Sequence, residues 1–289
     1  MMQPYDGLPA VYETFVEASE VLQQDLWALV TQGPAESLNH TVNTQPLMLA
    51  AGVAVYRSWL AAQSIQPDYL AGHSLGEYTA LVAAKALDFR AALLLVRYRA
   101  QLMQQAVPAE TGAMAALLGL EGEVVRSLCA QAAGAEIVEA VNYNAPGQVV
   151  IAGHKSAVLR AMDLATAQGA KRAIILPVSV PAHSSLMNEA GKRLAQYLET
   201  VDITPPATPV LQNADVTWFA TPGEIKQALV KQLSSPVRWV ETIQKMAQQG
   251  LTHIIECGPG KILTGLNKRI SSVPTVALAD ARSILEFKS

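Results

Sequence analysis

Apolar positions recur at intervals of about three to four residues over Val11–Thr31, Gln45–Gln63, Leu75–Ala86 and Arg90–Ala106, a spacing that predicts four helices in the early part of the chain. Between the second and third, the apolar run Asp68–His73 is brief and ends in a turn, which predicts a buried strand. The pattern then changes. Thr111–Leu120 reads as a strand, Glu121–Ala133 as a helix, Glu136–Tyr143 as a strand, Asn144–Gly147 as a turn, Gln148–Gly153 as a strand, His154–Gly169 as a helix and Lys171–Val180 as a strand. This β-α-β-β-α-β order is that of a ferredoxin-like unit. From Ser184 the earlier pattern resumes, with a helix to Thr200, a strand at Pro209–Gln212, helices over Pro222–Leu233 and Pro236–Gln249, and strands at Thr252–Glu256 and Pro274–Leu278.

The alternation predicts an α/β protein. Residues 1–108 and 184–289 are expected to form a large α/β-hydrolase-like domain with a parallel sheet. Residues 109–183 are expected to form a small ferredoxin-like insert.

Composition narrows the class. Of the 289 residues 51% are hydrophobic and 16% charged, which excludes a disordered chain. The net charge of −3 comes without a clustered basic face, so no nucleic-acid partner is expected. The longest apolar stretch, Leu47–Tyr56, is about half of the roughly 20 residues a bilayer requires, so no membrane span is expected. The opening residues MMQPYDGLPA lack the regions of a signal peptide. Cys129 and Cys257 lie far apart, suggesting neither a disulfide framework nor a thiolate metal site, and a reducing cytoplasm is the expected location.

The segment Gly72-His73-Ser74-Leu75-Gly76-Glu77 holds a G-x-S-x-G spacing between a predicted strand and a predicted helix. That is the setting of a nucleophile elbow, in which small flanking residues let the chain turn sharply enough to expose a serine hydroxyl. Ser74 is the candidate nucleophile, and the start of the following helix favours a developing oxyanion. Of the five histidines, His183 follows a predicted strand at its carboxyl end, where ligands gather in such sheets, and is the best-placed base. His40 reads as solvated, His73 as packed away from its neighbour Ser74, His154 as a helix-capping residue and His253 as lying at the opposite sheet edge. Asp88 and Asp163 fall between serine and histidine, but one starts a helix and the other sits inside one. A main-chain carbonyl can orient the imidazole instead. Arg97 and Arg99 interrupt an apolar helix, and a guanidinium there suits a substrate carboxylate.

Together with Pro181-Ala182-His183, the hairpin Asn142-Tyr143-Asn144-Ala145-Pro146-Gly147-Gln148 and Glu256-Cys257-Gly258-Pro259-Gly260, the elbow resembles the malonyl-CoA:acyl carrier protein transacylases of bacterial fatty-acid synthesis. The resemblance covers nearly the whole chain. It implies ping-pong transfer of malonyl from malonyl-CoA, through a malonyl-serine intermediate, to the phosphopantetheine thiol of acyl carrier protein. By that resemblance Ser74 is the nucleophile and His183 the acid–base. Arg99 pairs with the malonate carboxylate, Gln232 orients the histidine through its main-chain carbonyl, Leu75 supplies an oxyanion amide, and Asn144 is a polar residue at the cleft rim. No cofactor and no metal are implied; the pantetheine belongs to the partner.

Family members open with a strand and a G-Q-G-S-Q loop that give a second oxyanion amide. This sequence has no such segment, and Pro146-Gly147-Gln148 lies in a hairpin instead. The expectation is a late start that leaves the sheet one strand short and turnover impaired. The alternatives at this stage are a serine esterase or thioesterase, and a truncated chain that binds carrier protein or acyl-CoA. Lys171, Arg172, Lys261, Lys268 and Arg269 are expected to line a docking rim for the acidic carrier.

Overall fold

A computed structural model describes residues 1–108, 110–178 and 180–287, without the side chain of Asn39. Ala109, the first residue of the expected insert, and Ser179, within its expected last strand, lie outside the described residues.

The first expected helix is two. Pro9–Leu22 ends where Gln23 turns left-handed at φ 50°, and Leu26–Gln32 begins where the Asp25 carboxylate accepts the Ala28 N–H at 2.8 Å. Apolar spacing continues across the break, which is why the pattern reads as one helix. The helix Thr41–Gln63 is buried along most of its length and packs between Pro9–Leu22 and Phe89–Gln105. Leu47, Leu49, Val53 and Trp59 from it join Phe15, Leu81, Leu93 and Val96 in the main core. The short helices Ala35–Asn39 and Ala281–Leu285 carry too little apolar pattern to be anticipated.

Leu70–Ala71 runs parallel to Val210–Gln212, with Leu70 opposite Val210, and Thr217–Trp218 adds antiparallel on the outer edge. A second parallel pair joins Ile254–Cys257 to Thr275–Leu278. The two pieces meet through an apolar cluster of Ala71, Ile254, Val237, Trp239 and Leu266, not through a shared ladder. The strand expected over 68–73 is only two residues long because Gly72 leaves the ladder to begin a turn.

The small sheet has the order Val138–Ala145, Gln148–His154, Gly112–Leu118, Arg172–Ile175, all antiparallel, which is the ferredoxin-like arrangement. Strand alternation gives it two apolar faces. Ala113, Ala115 and Leu117 meet Val125, Leu128 and Ala161 of the helices Gly122–Ala133 and Lys155–Ala167. Met114, Val141 and Val150 face Leu176 and Ala182, just before His183. The strand expected over 171–180 stops at Ile175, shortly before Pro177, a residue with no N–H to offer a ladder. The helix expected from Ser184 begins as a 3-10 turn, Ser185–Met187, and continues as Asn188–Leu198. Tyr143 donates to the Val237 carbonyl at 3.0 Å and Val237 donates to that of Val141 at 2.9 Å, tying this sheet to the rest of the molecule. No described helix is long and apolar enough to cross a membrane.

Candidate active site

At the end of Leu70–Ala71 the chain turns through Ser74, whose φ of 50° is left-handed and strained for a non-glycine residue, and enters the helix Gly76–Ala83. The two glycines of the motif are not equivalent. A β-carbon at Gly72 would lie 1.9 Å from the Gly76 carbonyl, so only glycine fits there; one at Gly76 would meet nothing within 4 Å. The sequence expectation that both small residues permit the turn therefore holds for Gly72 alone. Just past the turn, the Leu75 N–H makes no hydrogen bond to another described residue and stands beside Ser74 at the helix start.

His183 Nε2 lies 2.7 Å from Ser74 Oγ. The last carbonyls of a helix have no partner inside it, and the end of Pro222–Leu233 uses two of them on this histidine. The Leu233 carbonyl accepts the His183 N–H at 3.1 Å, and the Gln232 carbonyl lies 2.7 Å from Nδ1. A carbonyl can only accept, so Nδ1 carries the proton and Nε2 presents its lone pair to the serine hydroxyl. His183 is 3% exposed; burial first, then the charge of Arg99, pushes its pKa down to about 3. Asp88 instead caps its own helix at the Ala91 N–H, and Asp163 lies within Lys155–Ala167.

Arg97 and Arg99 are two residues apart on the helix Phe89–Gln105, hence about 200° around its axis, and face opposite ways. Arg97 donates to the Leu22 carbonyl and to Gln24, away from the serine. Arg99, 1% exposed, donates to Gln45 Oε1 at 2.8 Å and Gln232 Oε1 at 3.0 Å, and comes within 3.4 Å of Ser74 Oγ. The Tyr78 ring lies beneath the guanidinium, 5.5 Å away. Burial lowers the Arg99 pKa, and no carboxylate pairs with it among the described residues. Gln232 thus serves twice. Its main chain fixes the imidazole, while its side chain accepts from Arg99 and donates to the Ser74 carbonyl at 2.9 Å.

Three buried polar residues escaped the sequence reading. Gln45 is the last polar side chain before the apolar run Leu47–Tyr56 of its helix. Glu77 belongs to the first turn of the elbow helix, and Asn213 follows the carboxyl end of Val210–Gln212, a position where site residues gather. The Glu77 carboxyl oxygen accepts the Asn213 N–H at 2.7 Å; burial pushes its pKa up to about 8, against the opposing pull of the Asn213 and Gln232 hydrogen bonds and of Arg99.

Asn144 reaches the elbow through a neighbour, its Oδ1 lying 2.8 Å from His73 Nε2. His73 points away from Ser74 and packs on Trp239, with ring centroids 5.5 Å apart. On the other side of the site Glu139, from the same strand, accepts from the Ser185 N–H at 2.7 Å and the Ser185 hydroxyl at 2.8 Å. His154 occupies the N-cap position of its helix without a side-chain cap; its Nδ1 accepts the Ile137 N–H instead. Arg269 is engaged with the Gln148 side chain and the Pro146 carbonyl, while Lys171, Arg172, Lys261 and Lys268 are exposed. Among the described residues no group of three His, Cys, Asp or Glu could hold a metal ion.

A serine on a strand–turn–helix elbow, a histidine on its hydroxyl and a buried arginine beside both make an arrangement suited to acyl transfer, and the sequence matches the acyl transferase domain family over residues 9–276. The chain belongs to that family and, within it, to the malonyl CoA-acyl carrier protein transacylases. It is 55% identical to the malonyl CoA-acyl carrier protein transacylase of Haemophilus influenzae over 91% of this chain and 84% of the relative. The crystal structure of an acyl carrier protein S-malonyltransferase from Vibrio cholerae superposes with a TM-score of 0.93 at 54% identity, covering 96% of this chain and 92% of the other. A malonyl-transacylase solved in complex with a type II PKS acyl-carrier protein superposes at 0.94 with 50% identity, over 96% and 90% of the two chains.

Proposed function

We propose that this chain transfers malonyl from malonyl-CoA to the phosphopantetheine thiol of acyl carrier protein, for fatty-acid synthesis. The observation that carries the reading is Arg99, a buried guanidinium without a carboxylate partner among the described residues, 3.4 Å from the Ser74 hydroxyl. A cation so placed calls for an anion on the acyl group itself, and the free carboxylate of malonate is one.

In the first half-reaction Ser74 Oγ attacks the thioester carbon while His183 Nε2 takes the hydroxyl proton. The oxyanion of the tetrahedral intermediate is met by the Leu75 N–H. Its collapse breaks the carbon–sulfur bond, and His183 returns the proton to the departing coenzyme A thiolate. In the second half, His183 takes the proton of the pantetheine thiol, the sulfur attacks the malonyl ester, and the proton passes to Ser74 Oγ. The Gln232 carbonyl holds the imidazole through both halves. No cofactor of the enzyme's own enters these steps.

We read the ferredoxin-like unit as an insert, residues 109–183 between 1–108 and 184–289, that forms one wall of the cleft and places Asn144 at its rim. The exposed Lys171, Arg172, Lys261 and Lys268 suit an acidic carrier. The two free thiols, Cys129 and Cys257, suit a reducing cytoplasm.

Intact-mass analysis after mixing with malonyl-CoA, then with holo carrier protein, tests the reading. A malonyl adduct on Ser74 that moves to the carrier is expected, as is its absence in Ser74→Ala. Release of free malonate without transfer would assign a thioesterase, and an adduct surviving in Ser74→Ala would remove Ser74 as nucleophile.

A further inference from the structure

We propose that Asn213 and Glu77 form a clamp that positions Ser74 for attack, a role distinct from substrate contact. The proposal rests on the reading of Ser74 as nucleophile. Asn213 stands one residue beyond Val210–Gln212, where its neighbour in the parallel pair, the chain after Leu70–Ala71, has left the sheet. Its carboxamide takes over from the missing ladder. Nδ2 donates to the Gly72 carbonyl and Oδ1 accepts the Ser74 N–H, each at 2.7 Å, so one planar group grips the turn on both sides of His73. The donor and acceptor ends fix the orientation, because a flipped amide would set N–H against N–H and oxygen against oxygen.

The clamp has its own anchor. The Asn213 N–H donates to Glu77 Oε2 at 2.7 Å, and Glu77 rides on the first turn of the helix that the elbow launches. Both residues are completely buried. Strand end, turn and helix are therefore linked in a closed circuit around Ser74. The serine carbonyl is held as well, by the Glu77 N–H at 3.0 Å and the Gln232 side chain at 2.9 Å. Left-handed backbone at a non-glycine residue persists only where the surroundings over-determine it, and these contacts do so at φ 50°. The Asn213 side chain hydrogen-bonds only to the Ser74 N–H and the Gly72 carbonyl, not to the Ser74 hydroxyl, His183 or Arg99, so its effect on reaction runs through the position of Oγ; Glu77, which also feels Gln232 and Arg99, acts on that position through the Asn213 N–H.

The test is the rate of Ser74 acylation by malonyl-CoA, read by rapid quench and intact mass and normalised to the folded fraction from circular dichroism. Asn213→Ala is expected to slow acylation on the order of a hundredfold, the scale of an ångström-sized misplacement of a reacting atom. KM for malonyl-CoA should hold, since Gln45 and Gln232 still orient Arg99. Glu77→Ala should slow acylation less, and Glu77→Gln, which keeps an acceptor for the Asn213 N–H, should recover most of that loss. Leu128→Ala, in the core of the small sheet unit, should lower the melting temperature without changing the rate per folded molecule.

Folded Asn213→Ala acylating within about twofold of wild type would overturn the clamp, as would a loss expressed wholly in KM. If Asn213→Ala does not fold, the Glu77 pair decides: equal rates for Glu77→Ala and Glu77→Gln would overturn it. Wild-type labelling somewhere other than Ser74 would overturn the underlying reading; labelled Ser74 with unaffected variants overturns the clamp alone.

Discussion

Replacing Glu77 by glutamine should change how stability depends on pH in a window that can be derived from the site. The Glu77 carboxyl is buried and holds its proton in the native state up to about 8, against an ordinary value of 4.5. Asp215 adds to the upward push of burial, while Arg99 and the Asn213 and Gln232 hydrogen bonds oppose it. Between those two values the native state binds more protons than the unfolded chain, so stability is fully present below 4.5 and is lost as pH rises through 8. The slope is about −1.4 kcal/mol per pH unit. His183, pushed down to about 3, and His73, also lowered by burial, give the opposite slope, but only below the ordinary histidine value of 6.5. Above 6.5 these two histidines are neutral in both states, and Glu77 acts without them. From pH 6.5 to pH 8, wild type should lose about 2 kcal/mol through this group, and Glu77→Gln, neutral at every pH, should not. Urea unfolding followed by tryptophan fluorescence at both pH values measures the difference, and subtracting the two proteins cancels every other titrating group. Parallel profiles, with no gain for the variant at the higher pH, would refute a neutral Glu77.

Arg99→Ala should reduce malonyl transfer about a hundredfold or more while sparing acetyl transfer relatively, since only malonyl brings a carboxylate to the guanidinium; equal losses for the two acyl groups would remove Arg99 from recognition. The acid limb of kcat/KM for malonyl-CoA should fall well below pH 6.5, because His183 remains an unprotonated base down to about 3, and Arg99→Ala should move that limb upward by removing a repelling charge. Limbs near 6.5 in both proteins would contradict the buried imidazole. Gly72→Ala should cost about 3 kcal/mol or more in urea unfolding, or prevent folding, while Gly76→Ala should stay within about 0.5 kcal/mol of wild type; similar losses at both would show that the turn does not depend on the close approach at Gly72.

Much of the site could be read from residue order because it is built from local rules. Ser74 sits in a short motif with a strand before it and a helix after it, a chain-local signal; His183 was expected just past a strand end, but that strand stops at Ile175 in the small antiparallel sheet, and the histidine is held instead by the end of Pro222–Leu233. The absence of an acid at the imidazole was also legible, since Asp88 and Asp163 lie in helices. The choice between Arg97 and Arg99 was not fixed by the helix alone, because it depends on which side of Phe89–Gln105 meets the elbow. Gln45, Glu77 and Asn213 were missed for a related reason. A polar side chain reads as surface until its partners are known, and theirs come from 54, 136 and 139 positions away. The helix break at Gln23 was hidden because a single left-handed residue leaves the apolar spacing intact. The ferredoxin-like order was plain because strand alternation and helix spacing switch cleanly along that stretch, whereas Thr217–Trp218 offers two residues and no periodicity.

One strand of the small sheet, Val138–Ala145, holds a neighbour of the nucleophile and a neighbour of the base, through Asn144 on His73 and Glu139 on Ser185. Chimeras meant to retune acyl preference by exchanging this unit between transferases would therefore carry off part of the scaffold beneath the nucleophile and the base. A donor unit should be compatible only if it brings hydrogen-bonding side chains at those two positions, which makes the pair a simple screen for which modules can be interchanged.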